Sequence, residues 1–595
     1  MTSNWKYLNI VRVILLLTCT VLSDTASAQY MEFEWSDEFR YTNKKTGFFR
    51  EYVGSDMMNI YILQRNINKS KPYKNVKIML VSMNKNSLVL TEEERLPLKG
   101  FPENAGQEEV LKSLDYVKTI LSEGKIFVFW RKLINTDSTR KEEIYAQTFK
   151  SNFKPDLPLK KVFEFIQNVD EQASMFDPTM CLVLTEQETN RIVVGTERFA
   201  DHAINFQYVT VDSRLAASTT NTVLLPKKPT SYPGKTTSTY ELTKDGLIHV
   251  RSEASYTKDE LLYMDSKHAK TFPVLTVINV ESGATKSLEF RTDLRTITDF
   301  CQYSAGGITR VVGFFGDLTE DTTGRDNQGL FYADIDPSSS EKTDINFVYF
   351  TRPIISRIFP KKRMRKKKGV IIPEDEVFQT RFDIQNITSM PDSSLIFFFT
   401  EQYNYEENTS RSDLNGENIY SSRASCKNSN VSALRLSATG EIMWARSIDR
   451  KITYQGTDIK DVRVVNKYGK FFVLFGNEGT KLSPPKGKRF QHLTEELTYF
   501  TFNPSTGRAK EYTTPVNEPK TDRRDMRYLD PNSAIVIDNQ IYFNKMRVRQ
   551  NPLWTVTNVI CPPTIYYSVL TGNTKVGKAD FAMMRIMDGK RPRKR

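Results

Sequence analysis

Apolar residues recur along this chain in short runs of strand character, and the runs come in a fixed order. A strand-like run ends in a Gly, Asn or Asp turn, and a second, strongly apolar run follows at once. A connection of variable length comes next. An alternating third strand then leads through another Gly or Asn turn into a fourth. The second runs are the clearest: Asn59 to Leu63, Ile126 to Trp130, Ile192 to Gly195, Leu247 to Val250, Val311 to Phe315, Leu395 to Thr400, Phe471 to Phe475 and Ile541 to Asn544. Each is rich in Ile, Val, Phe or Tyr, which suit a pleated, buried surface. The turns before them include Glu123-Gly124, Asp245-Gly246, Gly306-Gly307, Tyr468-Gly469 and Asp538-Asn539, where Gly and Asn tolerate the positive φ of a tight hairpin.

The third strands are expected at Val76 to Met83, Ile144 to Phe149, Ile204 to Val211, Val274 to Val280, Leu330 to Asp334, Ala433 to Leu436, Leu497 to Phe502 and Tyr566 to Leu570. Eight such units follow one another with no Pro/Gly/Ser linker between them. The pattern predicts an all-β fold: a β-propeller of about eight four-stranded blades, with seven blades plus extra strands as the alternative. One four-stranded sheet cannot bury both of its faces, and stacking blades around a ring does so while protecting the edges. The first unit (about 30–98) is the least regular, and either it or the last (about 530–590) is expected to supply the closing strand. Helical periodicity is scarce, with Gly106 to Asp115 the best candidate.

The hairpin Ser437-Ala438-Thr439-Gly440-Glu441-Ile442-Met443-Trp444 resembles the blade signature of the quinoprotein-like propeller superfamily. That group includes sugar and alcohol dehydrogenases that use pyrroloquinoline quinone, and a non-enzymatic envelope scaffold in outer-membrane protein assembly. The resemblance implies a propeller and allows either role. Asn503 to Arg508 and Asn279 to Ala284 match the turn alone.

The first 28 residues read as a secretory signal peptide. Lys6 and Arg12 form the positive segment, a short apolar core runs from Val13 towards Leu22, and Ala26-Ser27-Ala28 is a small-x-small cleavage site. The expected address is therefore exported: periplasmic or outer-membrane associated, with the cell surface or secretion as further destinations. Cys19 raises lipidation as an alternative. No later run is long enough for a transmembrane helix.

Composition narrows the chemistry. The 595 residues are 39% hydrophobic and 26% charged, so global disorder is excluded. The net charge of +13 favours anionic partners, and export makes nucleic acid an unexpected one. Cys181, Cys301, Cys426 and Cys561 lack metal-site spacing, and Cys181 and Cys301 are expected as buried free thiols. No H-E-x-x-H, G-x-S-x-G or phosphate-binding loop occurs. His202, His249, His268 and His492 lie in different units, so a histidine-based site would have to be assembled across blades. Asp317, Glu320, Asp321, Asp326 and Asn327 offer hard oxygen ligands, without the spacing of a calcium-binding EF-hand loop. No catalytic residue, metal or cofactor is assigned.

Three insertions stand out within a single propeller domain spanning 29–590, ahead of the basic tail 591–595: residues 352–378, 401–431 and 476–496. Propeller geometry is expected to crowd all three onto one side of one face. The first contains Lys361, Lys362, Arg363, Arg365, Lys366, Lys367 and Lys368, which suit an anionic glycan, lipid surface or protein. The second reads as an Asn-, Ser- and Glu-rich loop with Tyr403, Tyr405 and Tyr420 as adaptable contacts. The expected function is a non-catalytic binding or scaffold protein of the cell envelope, with an envelope protein or an anionic surface as partner. The alternative is a propeller enzyme, either a glycan hydrolase or lyase or a quinoprotein-like oxidoreductase. Sequence leaves the oligomeric state open.

Overall fold

The structure, a computed structural model, describes residues 30–35, 47–67, 78–95, 114–136, 139–168, 180–186, 188–200, 203–226, 238–256, 271–291, 295–317, 328–358, 381–412, 418–448, 452–455, 462–467, 470–476, 496–515, 525–538, 540–550 and 576–589. They form eight antiparallel sheets. Blade 1 is β2 (Gly47–Ser55), β3 (Asn59–Ile67), β4 (Ile78–Asn84) and β5 (Leu90–Arg95). Blade 2 is β6 (Asp115–Ser122), β7 (Lys125–Asn135), β8 (Thr139–Lys150) and β9 (Pro155–Asn168). Blade 3 is β10 (Met180–Glu186), β11 (Arg191–Ala200), β12 (Ala203–Thr210) and β13 (Asn221–Leu225). Blade 4 is β14 (Thr239–Leu242), β15 (Leu247–Ser255), β16 (Thr271–Asn279) and β17 (Thr285–Glu289).

Blade 5 is β18 (Arg295–Ala305), β19 (Ile308–Asp317), β20 (Gly329–Ile335) and β21 (Asn346–Tyr349). Blade 6 is β22 (Arg381–Ser389), β23 (Leu395–Ser412), β24 (Asn418–Leu436) and β25 (Ile442–Ile448), with β26 (Ile452–Gln455) paired to β24. Blade 7 is β27 (Arg463–Lys467), β28 (Lys470–Gly476), β29 (Glu496–Phe502) and β30 (Ala509–Pro515). Blade 8 is β31 (Asp525–Ile537), β32 (Gln540–Gln550), β33 (Val576–Gly589) and, from the other end of the chain, β1 (Tyr30–Trp35). The ladder from Tyr30↔Gly589 to Trp35↔Met584 thus closes the ring with the first of the described strands.

The second strands are apolar without alternation because each sheet is covered on both faces. On β7, Ile126, Val128 and Trp130 pack with blade 1, while Phe127 and Phe129 between them pack with blade 3. On β23, Phe397 and Phe399 join Phe314 of blade 5 and Phe382, while Ile396 and Phe398 join Val473 and Phe502 of blade 7. Aromatic rings dominate the 5–6 interface: Phe314 lies 4.9 Å from Phe399 and 5.0 Å from Phe382, centroid to centroid. Ile60, Ile62 and Val81 of blade 1 pack with Ile537 and Tyr542 of blade 8, so the core is continuous across the closure. The first strands form the inner wall, β2 against β6, β6 against β10, β18 against β22, β22 against β27 and β27 against β31.

Eight blades are therefore the architecture, and the first unit supplies the closing strand. Two local expectations are corrected. The third strand of blade 8 is Val576–Gly589, later than Tyr566 to Leu570, which lies outside the described residues. Its sequence mixes Gly, Lys and Asp with apolar residues, and pairing on both sides, with β32 and β1, makes it a strand. Residues 401–412 and 418–431 are built as strand instead of loop: β23 and β24 run past the blade as one ribbon paired from Gln402↔Asn428 to Ser412↔Asn418. The helix candidate at Gly106 lies outside the described residues, while Asp115 opens β6. A short helix, α1 (Arg352–Ile358), begins the connection from blade 5 to blade 6, with Pro353 in its first turn. Its last residue, Ile358, is buried against the blade 5–6 core.

Candidate interaction face

Antiparallel order fixes which connections share a side. Turns between first and second strands, and between third and fourth, emerge on one face. Second-to-third connections and the links between blades emerge on the other. The first face is built from tight turns. Glu123 and Gly124 (φ 50° and 70°) and Gly306 and Gly307 (φ 62° and 80°) make two-residue hairpins with both central residues left-handed. The longest connections on this face are 211–220 and 336–345.

Bonds between blades stitch this turn face together. Asn190 of blade 3 accepts from the Ser122 hydroxyl at 3.3 Å and, through Oδ1, from the Glu123 amide at 3.2 Å. Arg191 pairs with Glu281 of blade 4 at 2.7 Å. Lys286 of blade 4 donates to the Glu341 carbonyl of blade 5 at 2.6 Å. The Tyr332 hydroxyl donates to the Thr439 carbonyl of blade 6 at 2.8 Å. Arg435 and Trp444 of blade 6 both donate to the Pro504 carbonyl of blade 7, at 3.1 and 3.0 Å. Lys85 of blade 1 meets Asp538 of blade 8 at 2.6 Å. The Ser437–Trp444 hairpin noted in the sequence is one of these stitches: its Trp lies on the next blade's turn.

The opposite, loop face carries the long connections. All three insertions leave from it, since 350–380 links blade 5 to blade 6 while the ribbon and 477–495 join second to third strands. They are not alone there: 96–114, 256–270 and 551–575 are also long and belong to blades 1, 4 and 8. Long connections thus surround the face instead of crowding one sector. Lys361, Lys362, Arg363, Arg365, Lys366, Lys367 and Lys368 lie outside the described residues, as do residues 477–495 and the segment 1–28. In the ribbon, Tyr403 is in register with Lys427 and Tyr405 with Ser425, whereas Tyr420 is in register with Ser410. Tyr420 therefore has the opposite register parity from Tyr403 and Tyr405, and the three do not form one row. Near the 4–5 link on this face, Arg291 lies over Phe272 at 4.4 Å and pairs with Glu289 at 2.6 Å, and Arg295 lies over Phe347 at 4.1 Å.

Sequence reading gave no partners to His249, and the structure supplies them from the next blade. His249 Nε2 is 2.8 Å from Ser304 Oγ and 2.9 Å from Thr309 Oγ1, and the two hydroxyls are 2.8 Å apart. Nδ1 has no hydrogen-bond partner, and the nearest carboxylate oxygen, Glu241 Oε2, is 4.0 Å away. That carboxylate favours a proton on Nδ1, leaving Nε2 to accept from a hydroxyl. Facing His249, with the bond from Gln302 as a smaller contribution, holds the Glu241 carboxyl below its ordinary range against the upward push of burial. The hydroxyl–imidazole–carboxylate order is that of an acyl-transfer site. Here Ser304 is 6% exposed and His249 1%, so no carbonyl group can approach the hydroxyl. The cluster is a lock between blades 4 and 5. The signal in the sequence was a histidine inside the apolar run Leu247-Ile248-His249-Val250, a buried position that demands partners.

Other polar groups at the inner wall and core are spent the same way. Lys118 donates to the Val183 carbonyl at 2.9 Å, and the Asp299 carboxylate accepts from the Ile384 amide at 2.7 Å. Gln302 reaches Glu241 at 3.1 Å, and Arg463 donates to the Ala534 carbonyl at 3.0 Å. The fully buried Glu197 accepts from Tyr240 at 2.7 Å and Ser238 at 3.2 Å. Burial, reinforced by Glu197, pushes the Tyr240 hydroxyl far up. Cys181 and Cys301 are free thiols at partly buried positions, and burial raises the Cys181 thiol. Among the described residues no His/Cys/Asp/Glu group is placed to hold a metal ion. A cleft of about 320 Å³ opens on the turn face beside Lys286, Asp334 and Asp336. Its Lys286 is bound to two backbone carbonyls, and its Asp334 is held bidentately by Arg310 at 2.6 Å.

These features define the class: a closed eight-bladed β-propeller with one stitched face and one face of long connections. No protein-family model and no curated protein matches the chain. Among solved structures it is similar to the β-propeller domain of the Trilobed protease from Pyrococcus furiosus, at 10% identity and a TM-score of 0.29, covering 83% of this chain and all of that one. It is similar to prolyl oligopeptidase B from Galerina marginata at 9% identity and a TM-score of 0.31, covering 87% of this chain and 55% of that one. It is also similar to a Synechocystis apocarotenoid oxygenase at 8% identity and a TM-score of 0.24, covering 71% and 94%. No helix among the described residues is long and apolar enough to cross a membrane.

Proposed function

We propose that this protein is an exported, non-catalytic scaffold of the cell envelope that presents its loop face to an anionic partner. The observation that carries the reading is the inequality of the two faces. One is closed by short turns bonded from blade to blade, and the other bears every long connection on a rigid base, which is where propellers and other scaffolds place recognition. The net charge of +13, with seven basic residues between Lys361 and Lys368, supports an anionic partner. The basic run begins three residues beyond Ile358, the buried end of α1, so it is tethered to that face. Among the described residues, Lys118, Gln302 and Asp299 on the inner wall are engaged between blades, which supports a binding role over catalysis.

The test replaces the seven basic residues of Lys361–Lys368 with Ser. Retention on anionic phospholipid vesicles at low salt, and recovery of acidic envelope proteins in a pull-down, are then compared with wild type. Loss of vesicle retention alone assigns a lipid surface, and loss of a protein band alone assigns a protein. Unchanged retention in both assays refutes the anionic partner.

A further inference from the structure

The turn face of blade 1 carries three exposed apolar side chains that the fold does not use. Met57 and Met58, between β2 and β3, are 91% and 55% exposed, and Val89, between β4 and β5, is 48% exposed. The other six large apolar side chains exposed among the described residues are spread over five blades. Tight turns favour Gly, Asn, Asp and Ser, and here other residues supply that chemistry. Asp56 Oδ1 accepts from the Met58 and Asn59 amides, each at 2.8 Å, and Asn84 Oδ1 accepts from the Asn86 and Ser87 amides at 2.9 and 3.0 Å. The Lys85 amide donates to the Met58 carbonyl at 2.8 Å, which ties the two turns together. Single exposed apolar side chains are ordinary, whereas a group fixed on one rigid base marks a contact surface.

Topology keeps the long connections away from this surface. In blades 8 and 1, the connections 36–46, 68–77, 96–114, 516–524 and 551–575 all leave from the loop face. The flanks are basic. On one side Lys150 and Lys154 are exposed on the turn from β8 to β9. That turn reaches blade 1 through Phe153, whose ring lies 6.2 Å from Tyr61. On the other side the pair Tyr30↔Gly589 ends β33 on this face of blade 8. Lys590, Arg591, Arg593, Lys594 and Arg595 follow directly, outside the described residues. Six residues span up to about 20 Å, against about 10 Å between packed sheets. Nearby carboxylates are engaged: Asp538 pairs with Lys85 at 2.6 Å, Asp156 pairs with Lys125 at 3.0 Å, and Asp56 is bound within its own turn. The exposed Glu92 lies down β5, about 10 Å from Val89 at 3.3 Å per residue, and the exposed Glu123 is on the inner turn of blade 2. Apolar tips between cationic flanks fit an anionic bilayer, where the tips enter the headgroup layer and the cations meet phosphates. They project from convex turns, which suits a deformable surface.

We propose that the turn face at blade 1, flanked by blades 8 and 2, docks on an anionic lipid membrane through Met57, Met58 and Val89. Docking there directs the loop face away from the bilayer. The contact involves none of Lys361–Lys368, so it and the loop-face reading fail separately.

Peroxide oxidation of the wild-type protein, followed by mass spectrometry, locates the contact. Met57 and Met58 should oxidise readily in solution and several-fold more slowly on vesicles of phosphatidylcholine with phosphatidylglycerol. Met443, 51% exposed on the outer strand of blade 6, should oxidise equally with and without vesicles. Met57→Ser with Met58→Ser is expected to weaken retention on these vesicles by about tenfold. Lys150→Glu with Lys154→Glu should weaken it by a similar factor at low salt and by less at high salt. Met443→Ser should leave it unchanged. These side chains are exposed, so unchanged melting temperatures show that the variants are folded. Equal oxidation of Met57 with and without vesicles, retention indifferent to both pairs of substitutions, or retention lost only when Lys361–Lys368 are replaced overturns the proposal. Slow oxidation of Met57 without vesicles also overturns it, because another part of the chain then covers the surface.

Discussion

The indole of Trp444 in blade 6 lies on Gly507 in the turn of blade 7, so closely that a Cβ at position 507 would come within 2.7 Å of the ring. Gly507 has φ +65°, where only glycine is at ease. The same device recurs one interface earlier, where Tyr332 of blade 5 lies on Gly440 of blade 6 at φ +84°. Large flat side chains of one blade therefore seat on a bare turn of the next. Gly507→Ala is expected to destabilise the fold by about 1–3 kcal/mol, from backbone strain and displacement of the ring. The measure is denaturant unfolding, with Ser505→Ala as an exposed control in the same turn that should change stability by less than about 0.5 kcal/mol.

Arg435 makes a second prediction at the same interface. It is nearly buried, and its guanidinium bonds Ser394 Oγ at 2.9 Å, Asp392 Oδ2 at 2.5 Å and the Pro504 carbonyl at 3.1 Å. Three acceptors in three directions need the planar fork. Arg435→Ala is expected to cost about 1–3 kcal/mol, since it removes charge-assisted bonds across the blade 6–7 interface and the packing of a nearly buried side chain. Arg435→Lys should recover less than half of that in thermal or chemical unfolding.

The units were legible because every second strand must bury both faces, which writes runs such as Val311 to Phe315 and Phe471 to Phe475 into the sequence. Strands whose identity depends on their neighbours were not legible. β33 carries Gly577, Lys578 and Asp580 among apolar residues and is a strand because β32 and β1 flank it. The extension of β23 and β24 is Asn-, Ser- and Glu-rich, with low strand propensity, and continues the pairing of the blade after a register shift between Thr400↔Val431 and Gln402↔Asn428. The lock at His249 joins residues 55 and 60 positions apart on two blades, a distance no local pattern reports. Of the chosen site residues, the tyrosines fall in a ribbon where Tyr420 stands apart from Tyr403 and Tyr405 in register.

His249 gives a prediction with a pH signature. His249→Ala removes the group that both buried hydroxyls face and is expected to cost about 2–3 kcal/mol. The Glu241 carboxyl is held below its ordinary 4.5 chiefly by His249. A carboxylate whose folded value is depressed adds stability that is present above the unfolded value and is lost as pH falls through the folded one. Wild type should therefore lose stability more steeply below pH 4.5 than Glu241→Gln does. The two curves should run parallel above it. Melting temperatures measured across the acid range check both statements, and His249→Ala should shrink the Glu241 contribution as well.

Ring closure gives the last prediction. β1 is the outermost strand of blade 8, reached from the far end of the chain, and it pairs with β33 over Tyr30 to Trp35. Without it β33 becomes an open edge and blade 8 has only the three strands β31, β32 and β33. The neighbouring interface depends on that blade, because Ile537 and Tyr542 pack under Ile60 and Val81, and Lys85 is bonded to Asp538. A chain beginning after Trp35 is thus expected to unfold at lower temperature and to associate through the bared edge. Its proteolysis should begin in blade 8. Adding the peptide 30–35 in excess should restore little, since six residues bind weakly once the covalent tether is lost. Hydrogen exchange provides the finer measure: amides of β33 should lose protection in the truncated chain while those of β7 and β23, which lie within the blade 1–3 and 5–7 cores, keep it. Equal loss of protection in all three strands would mean that the ring unfolds as one unit and that closure by β1 holds the whole propeller together.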